Sequence, residues 1–370
     1  MLHVVDSLER GGLERLVNDL AIAQHQAGWN VAVFSINDTQ GYRQCLEDAG
    51  VPVIVGHKQG TLDMQVLKLL RHTLKSTGIR TVHAHNFVPS YYAAIALIGL
   101  RPKVAQVVTC HDMGTRLNNR RLRALFKWSV GRSQRIAMVG RQVFERFVST
   151  GIVPASKACT VLNAVPIDHF VITPDKRSWA RQALGLASQD LVVGCVGRLV
   201  ELKNHATLIK LWPDVLRARP DARLVLIGDG PLRDTLQKLA FELGVADHIV
   251  FAGLRENVAQ LLPALDIFAL PSLTEGVSIA LLEAMATGLP SLASKVGGNI
   301  EVIEHGQTGL LFDLQEGQAL RQALMALVGD EALRAQLARQ ARTWTQTNAS
   351  LNVLTTRYAS LYGEAHEQLR

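Results

Sequence analysis

Short runs rich in Val, Ile and Leu recur along the chain and alternate with stretches whose apolar residues return every three or four positions. Runs this short, bounded by polar or turn residues, predict buried strands, and the longer periodic stretches predict helices. In the first half, strands are predicted at Leu2 to Val5, Asn30 to Ser35, Val53 to Val55, Thr81 to Ala84, Val104 to Thr109 and Arg135 to Val139. A second series follows at Leu191 to Val196, Ala222 to Ile227, His248 to Phe251, Asp266 to Leu270 and Pro290 to Ala293. Strand and helix in alternation is the signature of βα units and parallel sheets. The expected fold class is therefore α/β, with two Rossmann-like, doubly wound domains facing across a cleft and ligands at the carboxyl ends of the strands.

Between the two series, Asn163 to Asp175 holds Pro166 and Pro174 without clear periodicity, which predicts a linker. The domains are placed at 1–165 and 166–347. From Gly317 onward the pattern is helical with no further strand. A terminal helix over about 348–366 is expected to pack back onto the first domain. No internal repeat or low-complexity tract interrupts the pattern.

A chain of 370 residues with 48% hydrophobic side chains exceeds what one core usually organises, which agrees with two domains. Cys45, Cys110, Cys159 and Cys195 are far apart and lack metal-ligand spacing, so they read as thiols of a reducing compartment. The amino terminus meets Asp6, Glu9 and Arg10 before a secretory signal can form. The longest apolar run, Tyr91 to Leu100, is about half of the ~20 residues a membrane span needs. A cytoplasmic protein, soluble or peripheral on the inner face of the membrane, is expected.

The net charge of +7 is unevenly placed. Residues 1–165 hold twenty Lys and Arg against ten Asp and Glu, whereas the remainder is slightly acidic. Arg116, Arg120, Arg121, Arg123, Lys127, Arg132 and Arg135 crowd one segment together with Leu122, Leu125, Phe126 and Trp128. This Arg116–Arg135 segment reads as a basic amphipathic helix, either a solvated face or a foot on an anionic membrane surface. No basic, aromatic-interleaved groove accompanies it, so nucleic acid is not an expected partner.

Several turns that follow predicted strands carry candidate chemistry. Gly11 and Gly12 precede an apolar helix and let the backbone approach a ligand, but their spacing is not that of a nicotinamide-binding turn. The strand ending at Thr109 runs into Cys110-His111-Asp112, which places an imidazole and a carboxylate at a strand end. Gly197-Arg198 and Lys203 put two cations five residues apart on one loop, a spacing that suits a diphosphate clamp. Gly228 and Gly230, then Gly253 with Arg255, make two more glycine turns able to hold a base and ribose.

The strongest signal runs from Pro271 to Pro290, with Glu275-Gly276-Val277-Ser278 and, eight residues after Glu275, Glu283. Gly276 is expected to open a helix, so that the amides of Gly276, Val277 and Ser278 meet a phosphate with the helix dipole behind them. Glu275 in the turn can reach a sugar, and Glu283, about two turns along, can accept from ribose hydroxyls.

Over nearly its full length the chain resembles the GT-B retaining glycosyltransferases of family 4. The two glutamates separated by seven residues carry the resemblance, together with Gly11, Gly12, His111, Asn163, Gly197-Arg198, Lys203 and Val296-Gly297-Gly298-Asn299 with Glu301. The resemblance implies that Arg198 and Lys203 hold the donor diphosphate and Glu283 the ribose. It also implies that Glu275 with the Gly276 to Ser278 amides holds the transferred sugar and its phosphate, and that His111 contacts that sugar. Glu275, His111, Arg198 and Lys203 are thus the expected catalytic groups. In such enzymes the leaving nucleotide diphosphate draws the acceptor proton on the same face, and no side chain need be the nucleophile. The implied donor is a nucleotide diphosphate-sugar, with uridine diphosphate the commonest carrier. The implied acceptor is a glycan or polyprenyl-linked glycan of exopolysaccharide, capsule or lipopolysaccharide assembly.

Two positions depart from the family pattern: Ala164 stands where glycine usually follows Asn163, and Lys295 stands before Val296 where an acid is frequent. No Asp-x-Asp triplet occurs, so metal-independent transfer is expected, with no cofactor and with the cations and a helix dipole neutralising the leaving group. A nucleotide-sugar epimerase or hydrolase on the same scaffold, and a noncatalytic nucleotide-sugar-binding subunit, remain alternatives.

Overall fold

The computed structural model describes residues 1–111 and 116–369, and of Arg116 only the backbone. Asp112 lies outside the described residues. The chain divides into two compact units, Met1–Ala164 with Leu351–Arg370, and Val165–Ser350.

The first unit contains β1 (Leu2–Val5), α1 (Gly12–Gln26), β2 (Ala32–Ser35), α2 (Arg43–Asp48), β3 (Val53–Val55), α3 (Met64–Ser76), β4 (Thr81–His85) and α4 (Phe87–Ala96). It continues with β5 (Ala105–Cys110), α5 (Arg120–Gly131), β6 (Arg135–Met138), α6 (Arg141–Ser149) and β7 (Ala158–Thr160). The strands form one sheet in the order β3-β2-β1-β4-β5-β6-β7, and each neighbouring pair is parallel. Alternation decides the two faces. Leu2, Val4, Val82, Ala84 and Val108 turn to the side packed by α3, α4 and α5, whose Leu70, Tyr92 and Phe126 are buried there. Val5 and Val33 turn to the other side and meet Val17 and Ala21 of α1 and Leu46 of α2.

The second unit contains α7 (Pro174–Ala183), β8 (Leu191–Val196), α8 (His205–Ala218), β9 (Ala222–Ile227), α9 (Arg233–Glu242), β10 (Ile249–Gly253) and α10 (Val258–Leu261). It closes with β11 (Ile267–Leu270), α11 (Ile279–Thr287), β12 (Ser291–Ser294), α12 (Asn299–Val302), β13 (Leu310–Phe312), α13 (Ala319–Gly329) and α14 (Glu331–Asn348). Its sheet runs β10-β9-β8-β11-β12-β13, again parallel throughout. Trp212 of α8, with Leu208 and Ile209, packs onto Val193, Leu224 and Ile267. The order reverses between β8 and β11, the place where open parallel sheets hold ligands at their carboxyl edge.

The last helix, α15 (Leu351–Glu367), belongs to the first unit and lies over α1, β5 and β6. No helix among the described residues is long and apolar enough to cross a membrane.

Four local expectations change. The edge strands β7 and β13 lie beyond the predicted set, because three residues are too few to show a period. Pro174 and Asp175, read as linker, begin α7: the Thr173 hydroxyl accepts from the Lys176 amide at 3.2 Å, and proline suits a first turn that needs no amide donor. The helix expected at Gly276 begins at Ile279, with Ser278 as its N-cap. The basic segment is not one helix. Only Arg120, Arg121, Arg123 and Lys127 ride on α5, whereas Arg132 caps its end and Arg135, in β6, pairs with Glu364 of α15 at 2.8 Å.

Candidate active site

In the second unit, three loops interlock at the carboxyl edge of the sheet. The loop after β8 reaches the loop after β11 through main chain and side chain. Leu273 donates its amide to the Leu202 carbonyl at 2.8 Å, and the Asn204 carboxamide donates to the Pro271 carbonyl at 3.2 Å. Asn204 itself sits in the left-handed region, with φ 53° and ψ 36°, and its oxygen accepts from Thr207 at 2.7 Å. Asparagine tolerates that conformation better than most residues, which fits it to the turn between Lys203 and α8.

These links bring together two side chains 72 positions apart. The Lys203 ammonium lies 2.5 Å from Glu275 Oε1, and the buried Ser272 hydroxyl donates to the same oxygen at 2.6 Å. Glu275 is therefore fixed in place, with one oxygen doubly engaged. An ammonium has three donors, so Lys203 can hold this carboxylate and a phosphate oxygen together. Arg198, on the same loop, is exposed and makes no ion pair among the described residues. Arg198 and Lys203 are the two groups of this loop that could bind the oxygens of a diphosphate.

Glycine permits the loops to approach each other. A Cβ on Gly298 would lie 2.6 Å from the Gly276 carbonyl carbon and oxygen and from the Val277 amide, and Gly298 donates its own amide to the Glu275 carbonyl at 3.2 Å. Gly228, at φ +141°, would drive a Cβ to within 2.0 Å of the Gly197 carbonyl. Gly230 stands on the same loop, where its amide donates to the Asp229 carboxylate at 2.7 Å. Arg255 is exposed and turns back to donate to the Ala252 carbonyl at 2.8 Å.

The turn Gly276-Val277-Ser278 leads into α11, whose first amides point toward the same edge. Ser278 caps it by accepting from the Leu281 amide at 3.4 Å. Glu283 lies in the fifth position of α11 and is 4% exposed. Sequence reasoning missed Ser272 and Asn204, and it named Asn299 without a role; Asn299 is buried and its carboxamide donates to the Ser294 carbonyl at 3.0 Å. Asn204 acts on a loop 67 positions away, which no local spacing announces, whereas Ser272 and Asn299 act within their own loops. His205, also missed, is buried at the start of α8, and burial followed by the nearby Lys203 charge lowers its pKa to about 4.

The first unit carries the other candidates. Gly11 precedes α1 in an extended conformation and Gly12 begins the helix, but Glu14 follows closely. Burial raises the Glu14 pKa, and the Asp6 and Glu9 charges raise it further. His111 directly follows β5 as a buried imidazole, and its Nε2 has no hydrogen-bond partner among the described residues. Burial lowers its pKa to about 4, which keeps the ring neutral. Its main-chain amide donates to Asn86 Oδ1 at 2.8 Å. Asn86 has φ +67° and ψ −163°, a conformation nearly confined to glycine and costing about 1 to 3 kcal/mol for other residues.

Behind His111 lies a lattice that local spacing in the sequence does not reveal. His3 Nδ1 lies 3.0 Å from His85 Nε2, and His3 Nε2 lies 2.8 Å from the Gln24 oxygen. His83 reaches the Tyr362 hydroxyl at 2.8 Å and the Thr109 hydroxyl at 2.6 Å, and Thr109 meets the Tyr358 hydroxyl at 2.8 Å. The ring nitrogens of His3, His83 and His85 approach within 4.8 Å, but five of the six already have these partners. The trio is therefore a hydrogen-bonded seat for α15, with little ligating capacity left.

Two family models match the chain. One described as glycosyl transferases group 1 covers residues 176–344, and one described as glycosyltransferase family 4 covers residues 10–169. A GDP-mannose-dependent alpha-(1-6)-phosphatidylinositol monomannoside mannosyltransferase of Mycolicibacterium smegmatis is 34% identical over 243 residues, 63% of each chain. The chain thus spans less than two thirds of that relative's length. An Escherichia coli UDP-Gal:alpha-D-GlcNAc-diphosphoundecaprenol alpha-1,3-galactosyltransferase is 27% identical over 293 residues, 76% of this chain and 75% of the other. Among solved structures, Anabaena HepE in complex with UDP and glucose superposes with a TM-score of 0.82 at 23% identity, covering 97% of this chain and 98% of that one.

Proposed function

Because the chain belongs to the family 4 glycosyltransferases of the GT-B fold, we propose that it moves a sugar from a nucleotide diphosphate to a glycan or lipid-linked acceptor, with retention of configuration and without a metal ion. The observation that carries this reading is the Lys203–Glu275 pair, locked by Ser272 at the point where the strand order reverses, with Arg198 on the same loop as Lys203. Lys203 and Arg198 would neutralise the diphosphate as the glycosidic bond breaks, which stabilises the charge that develops on the leaving group. The amides of Gly276 to Ser278 at the approach to α11 would add donors to the same phosphate. Glu275, restrained by Ser272, would accept from hydroxyls of the transferred sugar, and Glu283 from the ribose. His111, held neutral by burial, would touch the transferred sugar as a hydrogen-bonding group. The diphosphate oxygen would take the acceptor's proton on the face it leaves, so configuration is kept.

A uridine diphosphate sugar is our preferred donor, supported by the Anabaena complex and the Escherichia coli relative, although the mycobacterial relative's name specifies GDP-mannose. A lipid-linked acceptor is favoured because both relatives named above carry lipid-linked acceptors in their names. Exposed Arg120, Arg121 and Arg123 on α5 would rest on the anionic inner face of the cytoplasmic membrane.

The test is incubation with UDP- and GDP-sugars and polyprenyl-diphosphate glycans, with and without EDTA, followed by NMR of the anomeric proton. Transfer with the donor's configuration and unaffected by EDTA is the expected result. Free sugar or an epimer beside untouched acceptor would instead establish a hydrolase or an epimerase. Loss of turnover in EDTA, restored by magnesium, would overturn the metal-free step.

A further inference from the structure

We infer that Asn86 is a positioning residue for His111, its carboxamide oxygen fixing the end of β5 and its strained backbone being retained for that bond. The inference rests on the transferase reading only in that His111 meets the sugar there. Asn86 follows β4 and stands as the N-cap of α4, a position where asparagine ordinarily accepts from a helix amide. Its side chain makes no such capping bond. The oxygen reaches instead across the sheet edge to the His111 amide at 2.8 Å.

The backbone is held as firmly. The Asn86 amide donates to the Thr109 carbonyl at 2.8 Å, and its carbonyl accepts from the Ser90 amide at 3.3 Å and from the Ser90 hydroxyl. Asn86 therefore grips Thr109 and His111 on the two sides of Cys110. At φ +67° and ψ −163°, glycine would sit without strain but would offer no oxygen to His111. An L residue in this conformation, with its cap function unused and its oxygen on the amide of a buried imidazole, marks a position kept for the histidine.

Asn86→Gly, Asn86→Ala and Asn86→Asp in the full chain separate the bond from the strain. Glycine removes both, alanine removes only the bond, and aspartate keeps an acceptor. We expect Asn86→Gly to melt at or above the parent's Tm, yet to lose about tenfold in kcat, the order expected for one hydrogen bond, with donor KM unchanged. Asn86→Ala should show the same kcat loss with a lower Tm, and Asn86→Asp should recover most of the rate. In a His111→Ala background, Asn86→Gly should cost nothing further, because residues acting through one another are not additive. An undiminished kcat in Asn86→Gly, or an equal loss in the His111→Ala background, would overturn the inference. Hydrogen exchange at the His111 amide gives a readout without substrate. Faster exchange in Asn86→Gly supports the anchor, and parent-like protection refutes it even if no donor is turned over and the transferase reading itself fails.

Discussion

Both units solve the same packing problem with a parallel sheet covered by helices, but they put their polar groups in opposite places. In the second unit the sheet interior is apolar, and its chemistry is at the rim, where glycines let three loops close on Lys203 and Glu275. In the first unit the sheet itself is polar on one face. His3, His83 and His85 project from β1 and β4 against Gln24, Tyr358 and Tyr362, and His111 follows β5. At its glycine turn Asp6 and Glu9 act on Glu14, whereas the second unit's rim pairs Lys203 with Glu275. The same architecture thus offers a carboxyl edge in each unit, and the residues on the loops decide which edge can receive an anion.

The contrast is broken most directly by Lys203→Ala, which leaves Glu275 without its cation and, on the proposed function, the diphosphate without a donor. We expect a loss of about 2 to 4 kcal/mol in transition-state stabilisation, or about 30- to 1000-fold in kcat/KM, measured with a saturating acceptor. Near-normal turnover would remove the clamp from the site. Next in size is Gly298→Ala. Its new Cβ meets main chain at 2.6 Å, which cannot move as a flexible side chain would, so about 1 to 3 kcal/mol of stability should be lost in urea melts together with nucleotide affinity.

Acid should sharpen the comparison from the other side. Burial lowers His3 and His111 to about 4 and His83 and His85 well below the ordinary imidazole value, whereas His205 alone is lowered, to about 4, in the second unit. These folded-state pKa values are below the unfolded value of about 6.5. Stability is therefore fully present above pH 6.5 and falls with pH toward about 4, as the unfolded chain takes up protons that the folded units refuse. Each such histidine contributes up to about 1.4 kcal/mol per pH unit in that window. Hydrogen exchange followed by mass spectrometry at pH 7 and pH 5 should show the first unit losing protection earlier, and simultaneous loss would contradict the four-to-one difference. The smallest effect is expected from Arg120→Glu, Arg121→Glu and Arg123→Glu on α5, each weakening co-sedimentation with phosphatidylglycerol vesicles by about fivefold. Unchanged binding would make α5 a solvated face.

Much of the rim was legible because parallel sheets place function directly after strands. Val193 and Ala269 lie in runs whose ends could be read within two residues, so Lys203 and Glu275 could be assigned to loops without knowing how those loops meet. The histidine lattice was not legible. His3 and His83 sit in strands among Val and Ala, and nothing in their neighbourhood separates a polar face covered by a distant helix from an exposed one. The start of α11 shifted to Ile279 because Ser278 supplies a cap, whereas Gly276 is used for close approach to Gly298.

The sequence alone determined the α/β class, the alternation of strand and helix, the uneven charge and the loops that carry glycine, cation and carboxylate. These are properties of residues near one another, where side-chain periodicity and backbone preference act over a few positions. Only the tertiary structure joined Lys203 to Glu275 across 72 positions, seated Tyr358 and Tyr362 over the histidines, and turned Asn86 toward His111. Such meetings depend on strand order and on which loops close together, and distances between parts remote in sequence are fixed by packing the whole chain at once.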